Sequence, residues 1–192
     1  MKKIIGVILA VFLLMVGCEN MNNTPTAVVE NFLNSYQNLD SDVRKELEDK
    51  IEEDSSMSEG QKEIYKSLLE KQYQNLSYKI RKEEVDEDTA TVEVEIEVLD
   101  YKRAITDAEA YYKEHPEEFL DTEEDNNNVS LGEMAKEKIE DAKNYIDYKM
   151  QEMQNVADKE KYTLTFYLNK EDNIWTIEDL TDEDMKKLHG LY

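Results

Sequence analysis

One thiol, two imidazoles and twelve tyrosine hydroxyls are the groups in this sequence whose chemistry stands apart from a solvated surface charge. The thiol, Cys18, ends an apolar run and follows Leu14-Met15-Val16-Gly17. Its sulfur can carry a covalent group, and the small Gly17 lets a processing enzyme grip an extended backbone. With no second cysteine, the chain cannot close a disulfide on itself. A nucleophilic triad needs a nucleophile, an imidazole and an orienting carboxylate, and neither histidine is placed for that work. His115 precedes Pro116, which disfavours helix continuation. His189 stands near the end of a short helix, where partial positive charge is welcome. Acid–base carboxylate pairs are so numerous that no pair is singled out.

Metal chemistry is equally unsupported by spacing. The run Asp121-Thr122-Glu123-Glu124-Asp125-Asn126-Asn127 offers hard oxygen ligands. A calcium loop of the EF-hand type also requires glycine at its sixth place and glutamate at its twelfth. Here the twelfth place is Gly132, and Glu133 comes one residue late. Zinc-type His and Cys spacing is absent. The expectation is therefore no catalytic residue, no metal site and no cofactor beyond a group held covalently by Cys18. Tyr36, Tyr65, Tyr73, Tyr78, Tyr145 and Tyr162, with Trp175, have the phase to line a pocket between helix and sheet. Aromatic residues at such spacing more often fill a core, as Met150 and Met153 do.

Lys2 and Lys3, the apolar stretch from Ile4 to Val16, and Gly17 have the order of a secretory signal. With Cys18 behind them, they resemble a bacterial lipoprotein signal and its lipobox. The apolar stretch is short of the ~20 residues that cross a bilayer, and the polar run from Glu19 to Asn23 follows at once. What the resemblance implies is removal of residues 1–17, diacylglycerol and N-acyl lipid on Cys18, and a protein on the outer face of the cell membrane. One acyl chain binds a membrane only marginally, whereas two or three hold firmly. Residues 19–24 then form a tether of at most about 20 Å, and 25–192 form one domain.

The chain has 46 acidic against 23 basic residues and a formal charge of −23. Loss of 1–17 removes two lysines and no acid. Such a balance opposes nucleic-acid binding, which needs clustered Lys and Arg. It equally opposes adsorption to anionic lipid, so the lipid is the only expected attachment to the membrane. A membrane or cell-surface protein remains an admissible partner.

The elements that must position these groups follow from periodicity. Thr24-Pro25 opens a helix carrying Val28, Val29, Phe32, Leu33, Tyr36 and Leu39 at helical spacing. A weaker helix carries Val43, Leu47 and Ile51, and the capping box from Ser58 to Gln61 opens a third, through Leu76. From Ser77 the period becomes two. A hairpin turning at 86–88 has Ala90 to Val98 on a buried face and Glu93, Glu95 and Glu97 on an acidic, wet one. Thr106 is positioned to cap a short helix ending at His115. A capping box at 130–133, with Val129 and Met134 as a staple, opens a helix from Leu131 to Ala157. At about 40 Å this helix is expected to cover most of the sheet. Tyr162 to Leu168 and Ile174 to Leu180 make a second hairpin, and Thr181 caps a last helix ended by Gly190.

Runs segregated in this way predict an α+β fold, an antiparallel sheet of about four strands under helices, with a long helical excursion between two hairpins. Thr24-Pro25-Thr26-Ala27-Val28-Val29-Glu30-Asn31-Phe32-Leu33, the stretch from Val85 to Val92, Asn173-Ile174-Trp175-Thr176-Ile177 and Gly190-Leu191-Tyr192 resemble small exported lipoproteins of Gram-positive bacteria. Those carry a domain similar to nuclear transport factor 2, of the cystatin-like kind, in which helices and a curved sheet form a cone. The resemblance implies a shape and an address and supplies no active site. The function read from the sequence is a membrane-anchored, non-enzymatic binding or protein-interaction module. The alternative is a carrier of a small ligand or cation in the cone or the acidic loop, and a small enzyme of the same fold comes third.

Overall fold

Thr24 and Pro25 start the first helix as their types require. The Thr24 Oγ1 accepts the Ala27 amide at 3.1 Å, and proline at the first helical position gives up an N–H that has no partner there anyway. The computed structural model describes residues 23–53, 57–119 and 143–192. Cys18, the segment 1–17, most of the tether, the acidic loop at 121–128 and the capping box at 130–133 lie outside the described residues. In chain order the elements are α1 (Pro25–Asn38), α2 (Ser41–Glu53), α3 (Glu59–Asn75), β1 (Ser77–Asp86) and β2 (Thr89–Leu99). They continue with α4 (Tyr101–Glu114), a 3-10 turn (Pro116–Phe119), α5 (Lys143–Gln154), β3 (Lys159–Glu171), β4 (Ile174–Ile177) and α6 (Asp182–Leu188).

The expected α+β fold is present. The four strands form one antiparallel sheet in the order β1-β2-β3-β4. Val92, Val94 and Ile96 stand opposite Phe166, Leu164 and Tyr162, so one face carries a continuous apolar layer. Leu33, Val29, Val92, Val94, Ile96, Leu164 and Phe166 are wholly buried in it. Helices α1, α3 and α6 pack on this face. The β3–β4 link is a two-residue turn with both Asp172 and Asn173 at positive φ, as a twisted hairpin demands.

The opposite sheet face is less acidic than its sequence suggests. Register sets Lys79 opposite Glu95, Lys82 opposite Glu93 and Lys161 opposite Glu97. Arg81, at the register shift between Ile80 and Lys82, brings Nη2 to 2.6 Å from Glu95 Oε2. Its hydrogen bond is the main reason the Glu95 carboxyl is held below the usual carboxylate range. Cross-strand opposite charges favour pairing, and the bulge interrupts a long edge strand open to aggregation.

Three expectations are corrected. Helix α4 begins at Tyr101 rather than at Thr106: Asp100 is the cap, accepting the Arg103 amide at 3.0 Å, and Thr106 lies inside, donating its hydroxyl to Lys102 O. The described part of the expected long helix, α5, ends at Gln154 and packs on α3 and α4 instead of covering the sheet. There Met150 and Met153 join Leu68, Leu99 and Tyr101 in a second apolar cluster, while Tyr112, Phe119 and Tyr145 form a third. Strand β4 stops at Ile177, three residues before Leu180, and one further backbone bond, from the Glu178 amide to Tyr167 O, extends its pairing with β3.

Candidate functional site

Helix α2 places Val43, Leu47 and Ile51 four residues apart, one above another on the face turned to α3. The α3 face opposite carries Tyr65, Leu69 and Tyr73. Its phase is set by the Ser58 capping box, in which Ser58 Oγ accepts the Gln61 amide and Gln61 Oε1 accepts the Ser58 amide at 2.8 Å. A further bond from Gln61 Nε2 to Asp147 Oδ1, 2.7 Å, ties this end of α3 to α5. Between these faces, the end of α1 at Tyr36 and the end of α6 at His189 lies a cavity of about 220 Å³.

The apolar wall is Val43, Leu47, Ile51, Met57 and Leu69, and the polar groups form two sets. At the mouth Glu46 accepts from Lys50 Nζ at 2.7 Å and from the Tyr36 hydroxyl at 3.2 Å. Deeper in, the Tyr73 hydroxyl and His189 Nε2 share a hydrogen bond of 2.9 Å, donated by whichever carries the proton. The Tyr36 and Tyr73 rings meet edge to face at 5.0 Å, a geometry that favours the pair.

Burial decides the protonation states. It pushes the Tyr36 and Tyr73 hydroxyls well above their ordinary range, with the Glu46 charge adding in the same direction. His189 is pushed down to about 4, first by burial and then by the Lys50 ammonium, against an opposing pull from Glu46. At neutral pH the deep pair is thus an uncharged imidazole on an uncharged phenol. The positive charge that the helix end would welcome on His189 is absent, because desolvation outweighs the helix dipole.

A stability change follows. The unfolded chain protonates His189 near pH 6.5 while the folded chain resists until about pH 4, so the unfolded state binds more protons in that window. Stability from this group is complete above pH 6.5 and falls as pH drops toward 4. Between pH 7 and pH 5 the loss should be about 2 kcal/mol. Urea unfolding at the two pH values measures it, and His189→Gln, which keeps a hydrogen-bonding group but cannot titrate, should lack this component.

These groups are suited to hold a molecule and poorly suited to transform one. A phenol with a raised pKa is not an activated nucleophile. An imidazole that protonates near 4 is a weak base at neutral pH, and Glu46 is already engaged by Lys50 and Tyr36.

Of the six tyrosines in phase for a pocket, Tyr36, Tyr65 and Tyr73 meet at this cavity. Tyr78 instead donates to Asn34 Oδ1 at 2.9 Å, Tyr145 packs on Tyr112, and Tyr162 donates to Tyr192 O at 3.1 Å. Trp175 belongs to the main core, under the Lys170 ammonium. No strand residue lines the cavity, which lies between helices and not between helix and sheet. The space over the sheet is filled by Leu33, Val94 and Phe166. The sequence does not single out Glu46 or Lys50, whose one signal is the apolar stripe of α2 with its spacing of four, and it gives His189 no part in a pocket. His115 is remote, its ring 4.5 Å from that of Tyr111. Among the described residues no three His, Cys, Asp or Glu side chains converge as metal ligands, and no helix is long and apolar enough to cross a membrane.

No protein-family model matches the chain, and no curated protein matches its sequence. Among solved structures, the candidate lipoprotein ycdA from Bacillus subtilis subsp. subtilis strain 168 is similar at 16% sequence identity and a TM-score of 0.40. The match covers 81% of this chain and 46% of that one, so this chain spans less than half of its length. A likeness so loose transfers neither topology nor activity. It does not establish the cone of a nuclear-transport-factor-2-like domain.

Proposed function

We propose that this chain is a lipid-anchored, extracytoplasmic, non-enzymatic binding module that carries its pocket at the end turned away from the membrane. The observation behind this reading is where the chain enters the fold. The Asn23 amide group bonds Asn173 O and accepts the Trp175 amide of β4. Three residues on, the Thr26 amide and hydroxyl donate to Glu83 on β1 at 2.9 and 2.6 Å. The chain therefore joins the sheet at the end that carries both hairpin turns.

Cys18 lies five residues before Asn23, a span of at most about 18 Å. Strand β2 runs from this end to Leu99, about 33 Å away, and Gly190, next to the pocket histidine, adjoins Leu99. An anchor on Cys18 thus holds the turn end near the bilayer and leaves the pocket facing outward. Glu83, Glu84, Asp86, Glu87, Asp88, Glu171 and Asp172 crowd the turn end, so an anionic membrane repels it within a Debye length of about 8 Å. Acyl chains must then do the holding, with diacylglycerol and an N-acyl group on Cys18 as the only lipid attachment. The charge of −23 argues against nucleic acid as a partner.

Cys18→Ala should abolish fatty-acid labelling and move nearly all of the protein from the membrane fraction to the medium. Metabolic labelling and fractionation measure this, and a variant that stayed labelled would defeat the proposal.

A further inference from the structure

We infer that the cavity bounded by α1, α2, α3 and the end of α6 is a binding site for a small uncharged molecule, with an apolar body of about ten non-hydrogen atoms and one hydroxyl or carbonyl group. This goes beyond membrane anchoring and does not depend on it.

Size comes first. An apolar cavity of about 150 Å³ takes benzene, and this one, at about 220 Å³, admits a few atoms more. Its wall is aliphatic on the α2 side and aromatic at Tyr65, which suits a flat or short-chain body. Charge comes second. Glu46 is neutralised by Lys50 and by the Tyr36 hydroxyl, so no unpaired charge waits for an ionic ligand. A charged group would lose its hydration without recompense.

The polar end of the ligand is set by the deep pair. If the Tyr73 hydroxyl donates to His189 Nε2, the phenol oxygen can accept from a ligand hydroxyl. If His189 carries its proton on Nε2 and donates, the Tyr73 proton is free for a ligand carbonyl. One tautomeric change therefore serves either polar group with no net charge in the pocket.

The test uses the full chain in lipid nanodiscs with 15N-labelled histidine, because its two histidines report different places. p-Cresol, benzyl alcohol and acetophenone, which carry a hydroxyl or a carbonyl, are the probes. At least one should shift the His189 ring signals saturably, with half-saturation near ~1 mM, and leave those of His115 unmoved. Benzoate and benzylamine should bind at least about tenfold more weakly. Leu47→Phe, which fills the cavity, should weaken the best probe at least about tenfold; Val43→Phe replaces it if the His189 signal reveals unfolding. No shift with any neutral probe, equal binding of a charged analogue, or undiminished binding by the filled variant would each overturn the inference. The same titration on Cys18→Ala in solution should give the same result, so a failure of anchoring is separate from a failure of the pocket.

Discussion

Replacing Gly190 by alanine should cost at least about 3 kcal/mol and disturb the pocket along with the fold. Gly190 adopts φ +70°, and a methyl group there would lie 2.0 Å from Leu99 O and 2.3 Å from Gln72 Nε2. The left-handed conformation alone costs a residue with a Cβ about 1–2 kcal/mol. The clash adds more, because its nearer partner is backbone and cannot swing aside. Gly190 is also held on both sides, its amide donating to Lys187 O at 3.0 Å and its carbonyl accepting the Lys102 amide at 2.7 Å. Relief must therefore move the end of α6, the start of α4 or the end of β2. With a typical domain stability of only 5–15 kcal/mol, the loss should be plain in a thermal or urea transition, and the His189 ring signals should move with it. Shortening Gln72 in the same chain should not rescue Gly190→Ala, since the contact with Leu99 O remains. A Gly190→Ala protein as stable as the parent would show that this close approach is not maintained in solution.

Such a close approach is invisible in the sequence, where Gly190 reads only as a helix terminator. What periodicity does reveal is which residues of one element share a face. Thr24-Pro25 and the recurrence from Val28 to Tyr36 describe α1, the Ser58 capping box describes the start of α3, and the alternation from Ala90 to Val98 describes β2. These elements agree with the structure because their signals are local hydrogen bonds and a regular apolar period.

Periodicity does not say what covers an apolar face. Met150 and Met153 mark the buried side of α5 equally well whether that side meets a sheet or two helices, and the helices are what it meets. The start of α4 is hidden for another reason. Asp100 follows Leu99 with no intervening loop, so the strand pattern runs directly into the cap. Cross-strand register is equally beyond a sequence reading. The glutamates of β2 look like a bare acidic stripe until Arg81, displaced by the register shift, and Lys161 are set beside Glu95. The pocket is the extreme case. Burial of an imidazole against the hydroxyl of Tyr73, 116 residues earlier, is a tertiary property, and no local pattern around His189 announces it.

Gln72→Leu should destabilise the protein by about 3 kcal/mol, the cost of leaving two buried backbone groups unpaired. Gln72 is completely buried on α3, and its carboxamide takes the Leu99 amide at 2.8 Å while giving a hydrogen bond to Leu99 O at 3.1 Å. The pairing of β1 with β2 ends two residues earlier, at Ser77 and Glu97. The carboxamide thus stands where a further peptide group of β1 would stand, and a leucine of nearly the same volume fills the space without serving either bond. Gln72→Glu separates hydrogen bonding from packing. A protonated carboxyl can accept from the Leu99 amide and donate to its carbonyl, but a carboxylate cannot donate, and burial opposes its charge. The folded pKa of that glutamate must then exceed its unfolded value of about 4.3, so the folded state binds the extra proton. By linkage the variant should match the parent below about pH 4.3 and fall behind it as pH rises. His189 acts in the opposite sense, losing stability as pH falls, and it is common to both proteins. The difference between their urea midpoints therefore isolates residue 72. A Gln72→Glu chain whose deficit stays constant from pH 4 to pH 7 would mean that the carboxylate reaches water, and that α3 does not close over the end of β2.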